Sequence, residues 1–139
     1  MAETMQFDLV SPERRLASLK AREIRIPGSD GEMTVMPGHA PVITTLKPGV
    51  LKVLGESGGT EYVVTGGFAE VTADGCTVLA ERSVASGDMT QAIYAEMLAE
   101  VRARHDAEKA GNAAGPTDEL VKLLADMVAL GGHIGLNPN

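Results

Sequence analysis

Three histidines, one cysteine and scattered carboxylates are the groups in this 139-residue chain with the chemistry to attack, move protons or hold a metal. His39, His105 and His133 lack the i, i+4 spacing that sets two imidazoles on one helical face around a metal ion, and surface positions account for them. His39 could be joined to many Ser and Asp partners as a hydrolase triad, yet no nucleophile-elbow sequence accompanies it. Cys76 is the single cysteine, so an intramolecular disulfide, a zinc ribbon and a CxxC redox pair are excluded. Gly55, Gly58 and Gly59 lack the Lys-Ser/Thr that completes a phosphate loop, and no GxGxxG opens a helix; hairpin turns are the better reading. Two segments keep functional interest: Gly28-Ser29-Asp30-Gly31-Glu32 and Pro37-Gly38-His39-Ala40-Pro41. One strand apart, they are expected to lie together at one end of a scaffold and present Asp30, Glu32 and His39 to a partner, as binding loops on rigid folds do. Ordinary solvated turns are the competing account.

The elements that must position these loops are short and β-rich. Met5 to Val10 alternates apolar and polar, the period of a half-buried strand, and Ser11-Pro12-Glu13-Arg14 reads as a turn. Ile24-Arg25-Ile26 runs into the Pro27–Gly31 turn cluster, and Met33-Thr34-Val35-Met36 into a segment whose two prolines keep it out of a central strand. Val42–Leu46 and Gly49–Leu54 flank Lys47-Pro48, and Glu56-Ser57-Gly58-Gly59 links the second of them to Thr60–Thr65 as a hairpin. Phe68–Thr72 and Cys76–Glu81 form another hairpin through Ala73-Asp74-Gly75, whose Asp-Gly pair tolerates positive φ. Many short strands at close spacing indicate a β-sandwich or flattened barrel, with one face of each sheet buried.

Near Gly87 the period changes to that of helices. The spacing predicts one domain over 1–87 and a helical appendage with its tail over 88–139. Asp88 is placed to cap a helix with apolar positions at Met89, Ile93, Met97 and Val101, and Tyr94 and Leu98 beside them. Gly111-Asn112-Ala113-Ala114-Gly115-Pro116 interrupts it, and Thr117 is a good N-cap with Asp118 and Glu119 at the positive end of the next helix dipole. Leu120, Leu123, Leu124, Met127 and Val128 form the second stripe, Gly131-Gly132 is read as its stop, and His133 to Asn139 as a frayed tail. The pair reads as an antiparallel helical hairpin, either packed on the sandwich or acting as an arm toward a partner.

Composition narrows the function. Hydrophobic residues make up 44% but aromatics only 3%, with no Trp, so the core must be aliphatic. Lys plus Arg total 12 against 19 acids, a net charge of −7 that argues against a duplex nucleic-acid binder. No apolar run approaches the roughly 20 residues needed to cross a bilayer. The opening Met1-Ala2-Glu3-Thr4 lacks the basic and apolar regions of a signal peptide. The expectation is a soluble protein of a reducing compartment.

A resemblance now adds to these readings. Phe7-Asp8-Leu9-Val10-Ser11-Pro12-Glu13, Gly28 to Met33, Met36-Pro37-Gly38-His39-Ala40-Pro41-Val42, Leu46-Lys47-Pro48-Gly49, Gly66-Gly67-Phe68-Ala69-Glu70-Val71 and Val78-Leu79-Ala80-Glu81 resemble, in order, the epsilon subunit of bacterial F-type ATP synthases. The resemblance implies a ten-stranded β-sandwich followed by a C-terminal antiparallel helical hairpin. It implies a non-catalytic place in the central stalk, without cofactor or metal, against the gamma subunit and the polar loops of the c-ring. Any membrane association would come only through the complex, at the cytoplasmic face of the bacterial inner membrane. Asp30, Glu32 and His39 are then the expected c-ring contacts.

Two departures from the family bear on regulation. Some members bind ATP through an Ile/Leu-Asp-x-x-Arg-Ala motif, and the matching run here is Met89-Thr90-Gln91-Ala92-Ile93-Tyr94, with Thr90 at the acidic position and Ile93 at the basic one. A triphosphate loses its evident cation. The hairpin of the family can also extend into the alpha/beta head and inhibit hydrolysis. Arg102, Arg104 and Lys122 are the candidate regulatory cations, but with Lys109 they are four against eight acids from Asp88 onward, poor complementarity for an acidic partner. A rotor subunit is the leading reading, an ATP-sensing hairpin module the alternative, and a hydrolase using His39 a distant third.

Overall fold

A computed structural model describes residues 3–56, 58–111 and 118–136. The N-cap expected at Thr117, the loop over 112–116, Ser57 and residues 137–139 lie outside the described residues, as does the side chain of Glu119. The chain divides into two compact units, Met1–Gly87 and Asp88–Asn139.

Among the described residues the first unit holds eight strands: β1 Met5–Val10, β2 Arg15–Ala21, β3 Glu23–Gly28, β4 Gly31–Val35, β5 Val42–Thr45, β6 Gly49–Gly55, β7 Gly58–Val71 and β8 Gly75–Ala85. They form one hydrogen-bonded path, β2-β1-β8-β7-β6-β3-β4, with β5 on β7. All pairs are antiparallel except the parallel pair of β1 with β8. The path becomes a two-layer sandwich because β7 and β8 each serve both layers. β7 pairs with β6 along Gly58–Val64 and with β5 along Phe68–Val71, while β8 pairs with it from Tyr62 to Val71, across both stretches. The expected ten strands are therefore eight, two of which, 14 and 11 residues long, each stand for two shorter ones.

The hinge of this arrangement is Gly66-Gly67, with φ of +64° and +100°. Before it, the core residue of β7 is the even-numbered Val64; after it, the odd-numbered Ala69 and Val71. Two consecutive glycines in left-handed backbone slip the alternation and keep the concave face apolar on both sides of the bend.

Alternation fills the core as its aliphatic composition requires. Met5, Phe7 and Leu9 of β1, Ile24 and Ile26 of β3, Leu51 and Val53 of β6, and Cys76, Val78 and Ala80 of β8 are all buried in one cluster. Cys76 sits within it with its thiol pushed up to about 12 by desolvation, and so behaves as a small apolar side chain.

The second unit contains α1, Gln91–Gly111, and α2, Asp118–His133, which pack on each other. Asp88 belongs to a short 3-10 turn, Ser86–Asp88, and does not cap α1. Thr90 does, its hydroxyl accepting the Ile93 amide at 3.1 Å. The buried positions of α1 are Tyr94, Met97, Leu98 and Val101; Met89 and Ile93 are only half-buried. In α2 Leu120, Met127 and Leu130 are buried and Leu123 and Leu124 half-buried, whereas Val128 is exposed, so the expected stripe holds with Leu130 in place of Val128 at its edge.

Gly131 and Gly132 do not stop α2; both lie inside it. The stop comes at Gly135, φ +78°, where the Leu136 amide donates to the Gly131 carbonyl at 2.7 Å and the Gly135 amide to Gly132 at 3.3 Å. That is a Schellman cap. The segment after His133, read as frayed, is thus capped as far as Leu136.

Candidate functional site

Placed on the fold, the three candidate loop residues separate. Ser29 and Asp30 form the turn between β3 and β4, closed by the Gly28–Gly31 pair, and Glu32 follows opposite Pro27. The Ser29 amide donates to the Thr45 carbonyl at 2.9 Å and the two hydroxyls are 2.8 Å apart, which pins this turn beside the end of β5. His39 is elsewhere. The Gly38 amide donates to the Ala73 carbonyl at 3.1 Å in the β7–β8 turn, and the His39 amide donates to Met36 at 3.1 Å. The His39 ring Nδ1 lies 2.6 Å from the Ala40 carbonyl, so that nitrogen carries the proton.

The separation follows from register. Thr45 pairs with Phe68, and β7 runs from there to Val71 before the turn at Ala73. Five residues of strand cover about 16 Å. Asp30 and Glu32 therefore sit at one end of β5 and His39 at the other, contrary to the expectation that the two loops share an end. A single strand between two turns carries the chain from one end of the sandwich to the opposite one.

The surface that does converge was not singled out by sequence. Phe68 of β7 pairs directly with Leu79 of β8 and with Thr45 of β5; Ile43 stands diagonal to Phe68, and Val10 of β1 lies beside Leu79. The outward side chains include Ile43 at 69% exposure, Phe68 at 41% and Leu79 at 38%. In the next row along these strands Ile43 stands opposite Glu70, followed by Thr77 and Asp8 in register. An apolar patch drawn from four neighbouring strands (Phe68, Leu79 and Val10 in one row, Ile43 diagonal to it) with polar groups beside it has the layout of a protein-docking surface. The legible signal was that Phe68-Ala69-Glu70-Val71 and Val78-Leu79-Ala80 put apolar groups on both faces of their strands, as sheets covered on both sides do.

On the helices, Arg102 and Arg104 are exposed on α1 beyond its last buried position. Lys122 is tied to Asp126 at 2.8 Å on its own helix, an i, i+4 pair that occupies its charge. The three are not gathered into one cluster by any ion pair among the described residues. Among the described residues no group of three His, Cys, Asp or Glu side chains is placed to hold a metal, and no helix is long and apolar enough to cross a membrane.

Comparison with known proteins gives these surfaces their context. The family described as ATP synthase, Delta/Epsilon chain, beta-sandwich domain matches residues 4–86. The ATP synthase epsilon chain of Rhodobacter capsulatus is 57% identical over 138 residues, covering 98% of this chain and 100% of its own length. This chain belongs to the ATP synthase epsilon-chain family. The epsilon chain of Paracoccus denitrificans (strain Pd 1222) is 55% identical over 144 residues, covering 100% of this chain and 96% of its own. A chain in the structure of Euglena gracilis mitochondrial ATP synthase, OSCP/F1/c-ring in rotational state 1, has the same fold, with a TM-score of 0.64 at 25% identity over 91% of this chain and 76% of that one. In this epsilon-family chain the matched span ends one residue before Gly87, the last residue of the strand-rich unit.

Proposed function

We propose that this chain is a non-catalytic rotor subunit of a bacterial F-type ATP synthase, joining the gamma subunit to the c-ring on the cytoplasmic face of the inner membrane. The observation that carries the reading is the exposed apolar patch of Ile43, Phe68 and Leu79 on the outer face of the sandwich, in a chain of the epsilon family. Gamma is the occupant assigned to that patch, and His39, at the same end of β5 as Val42, belongs to the gamma side. Asp30 and Glu32, at the opposite turn, keep the assignment to the polar loops of the c-ring. Transmission of torque needs a stiff body between two contacts, and β7 and β8 running unbroken through both layers supply one. The Euglena relative, found with F1 and the c-ring, supports this placement.

The test is capture by tagged gamma. A chain ending at Ser86 should remain folded and co-purify with gamma, because every strand has ended by Ala85. In the detergent-solubilised complex, Asp30→Lys with Glu32→Lys should release the ring while gamma stays bound. Loss of gamma from the folded truncation would move the interface to the helices, and ring retention by the charge-reversed chain would remove the Asp30–Glu32 contact.

Nucleotide sensing has less support. The Thr90 hydroxyl is used as the cap of α1, Ile93 offers no cation to a phosphate, and Tyr94 is fully buried. Calorimetric titration with Mg-ATP at physiological salt should show no saturable one-to-one site in the micromolar range. Such a site would restore the ATP-sensing alternative.

A further inference from the structure

Gly131 is a glycine in the interior of a helix, where alanine would form helix better. A residue of that kind needs a packing reason, and one is present. A Cβ built on Gly131 would lie 2.1 Å from the Tyr94 hydroxyl oxygen and 2.4 Å from its Cζ. Tyr94, in the first turn of α1, is among the largest fully buried side chains of the protein, and its hydroxyl donates to the Met127 carbonyl of α2 at 2.8 Å. Met127 and Gly131 are one helical turn apart, so the phenol rests against the backbone of α2 where only a glycine lets it approach. Desolvation raises the tyrosine's pKa, opposed by a hydrogen bond from the Gly131 backbone and by the charge of Arg102, so the hydroxyl stays protonated as a donor.

The contact also closes the helix pair at its far end. Tyr94 is near the start of α1 and Gly131 near the end of α2, the two ends remote from the connection between the helices. The buried positions of α1 stop at Val101, leaving Arg102–Gly111 without one. Contacts at the open end of a two-helix hairpin oppose separation with the greatest leverage.

We propose that Tyr94 is a clasp that holds the two helices folded together, with Gly131 as its socket and the Met127 carbonyl as its acceptor. Filling the socket or removing the hydroxyl opens the pair; the sandwich is unaffected.

Hydrogen–deuterium exchange of the intact chain, read on α2 peptides with sandwich peptides as the internal reference, tests this. Tyr94→Phe keeps the ring and removes the donor, and should speed α2 exchange about fivefold to tenfold. Gly131→Ala should speed it by about tenfold or more while Tyr94 is present. In a Tyr94→Ala background the same substitution should slow exchange, since only the helix preference for alanine then remains. That reversal of sign is the signature of the clasp. Unchanged exchange in Tyr94→Phe, or slower exchange in Gly131→Ala with Tyr94 in place, would overturn the proposal.

Discussion

Ile43→Glu combined with Phe68→Glu should abolish capture of the chain by gamma while lowering its melting temperature by no more than about 10 °C. Both side chains project from the outer face of the sandwich and neither belongs to the buried cluster, so the cost to folding should be about 1 kcal/mol or less for each. Buried aromatic and aliphatic anchors carry most of the energy of an interface, and placing two carboxylates there leaves them desolvated and unpaired. A loss of at least about 100-fold in affinity is expected. Thr77→Ala, among the polar groups beside the patch, should change affinity far less. Surface-immobilised gamma with the folded variants as analytes gives the comparison. Undiminished binding of the double variant would dissociate the apolar patch from gamma and leave the partner of this surface to be found elsewhere in the complex.

The residues behind that prediction mark the limit of what sequence patterns disclosed. Alternation disclosed β1, buried at every second position, and the runs Ile24–Ile26 of β3 and Cys76–Glu81 of β8, over which the same period holds. β2 escaped notice because a bulge interrupts its ladder: Leu9 pairs with Ala17 and Val10 with Arg15, so Leu16 is passed over and the period of two is lost locally. β7 was divided at Gly66-Gly67, since consecutive glycines ordinarily mark a turn. Here they mark a bend inside a strand, because β8 stays paired with β7 on both sides of it. Gly131-Gly132 misled in the same way. A glycine's backbone freedom and its lack of a side chain are separate properties, and the sequence does not say which is in use. The turns at Ser29-Asp30, Pro37-Gly38 and Ala73-Asp74 were legible, but which end of the sandwich each occupies depends on counting the strands between them, and that count places His39 apart from Asp30 and Glu32.

Gly67→Ala should destabilise the sandwich by about 3–5 kcal/mol, a large share of the stability of an ordinary domain. Two costs combine. The backbone φ of +100° lies beyond the small left-handed region that L-residues tolerate, and a Cβ there would meet the Leu79 carbonyl oxygen at 1.9 Å. That oxygen belongs to β8, whose backbone is fixed on both sides by its ladders to β7 and β1. Neither strand can give way without breaking the register that makes one sheet into two layers. Gly66 is the control next door. Its φ of +64° is ordinary left-handed backbone, which asparagine adopts, and the atoms a Cβ would meet are the end of the flexible Glu81 side chain. Gly66→Asn should therefore cost about 1 kcal/mol. Urea unfolding of the two variants, followed by far-ultraviolet circular dichroism, separates them. Equal midpoints would mean that the bend is set by neighbouring strands and not by the close approach of Gly67 to Leu79. A selective collapse of Gly67→Ala, with gamma capture lost in proportion to the unfolded fraction, would tie the rigidity of the rotor body to this single crossing of two backbones.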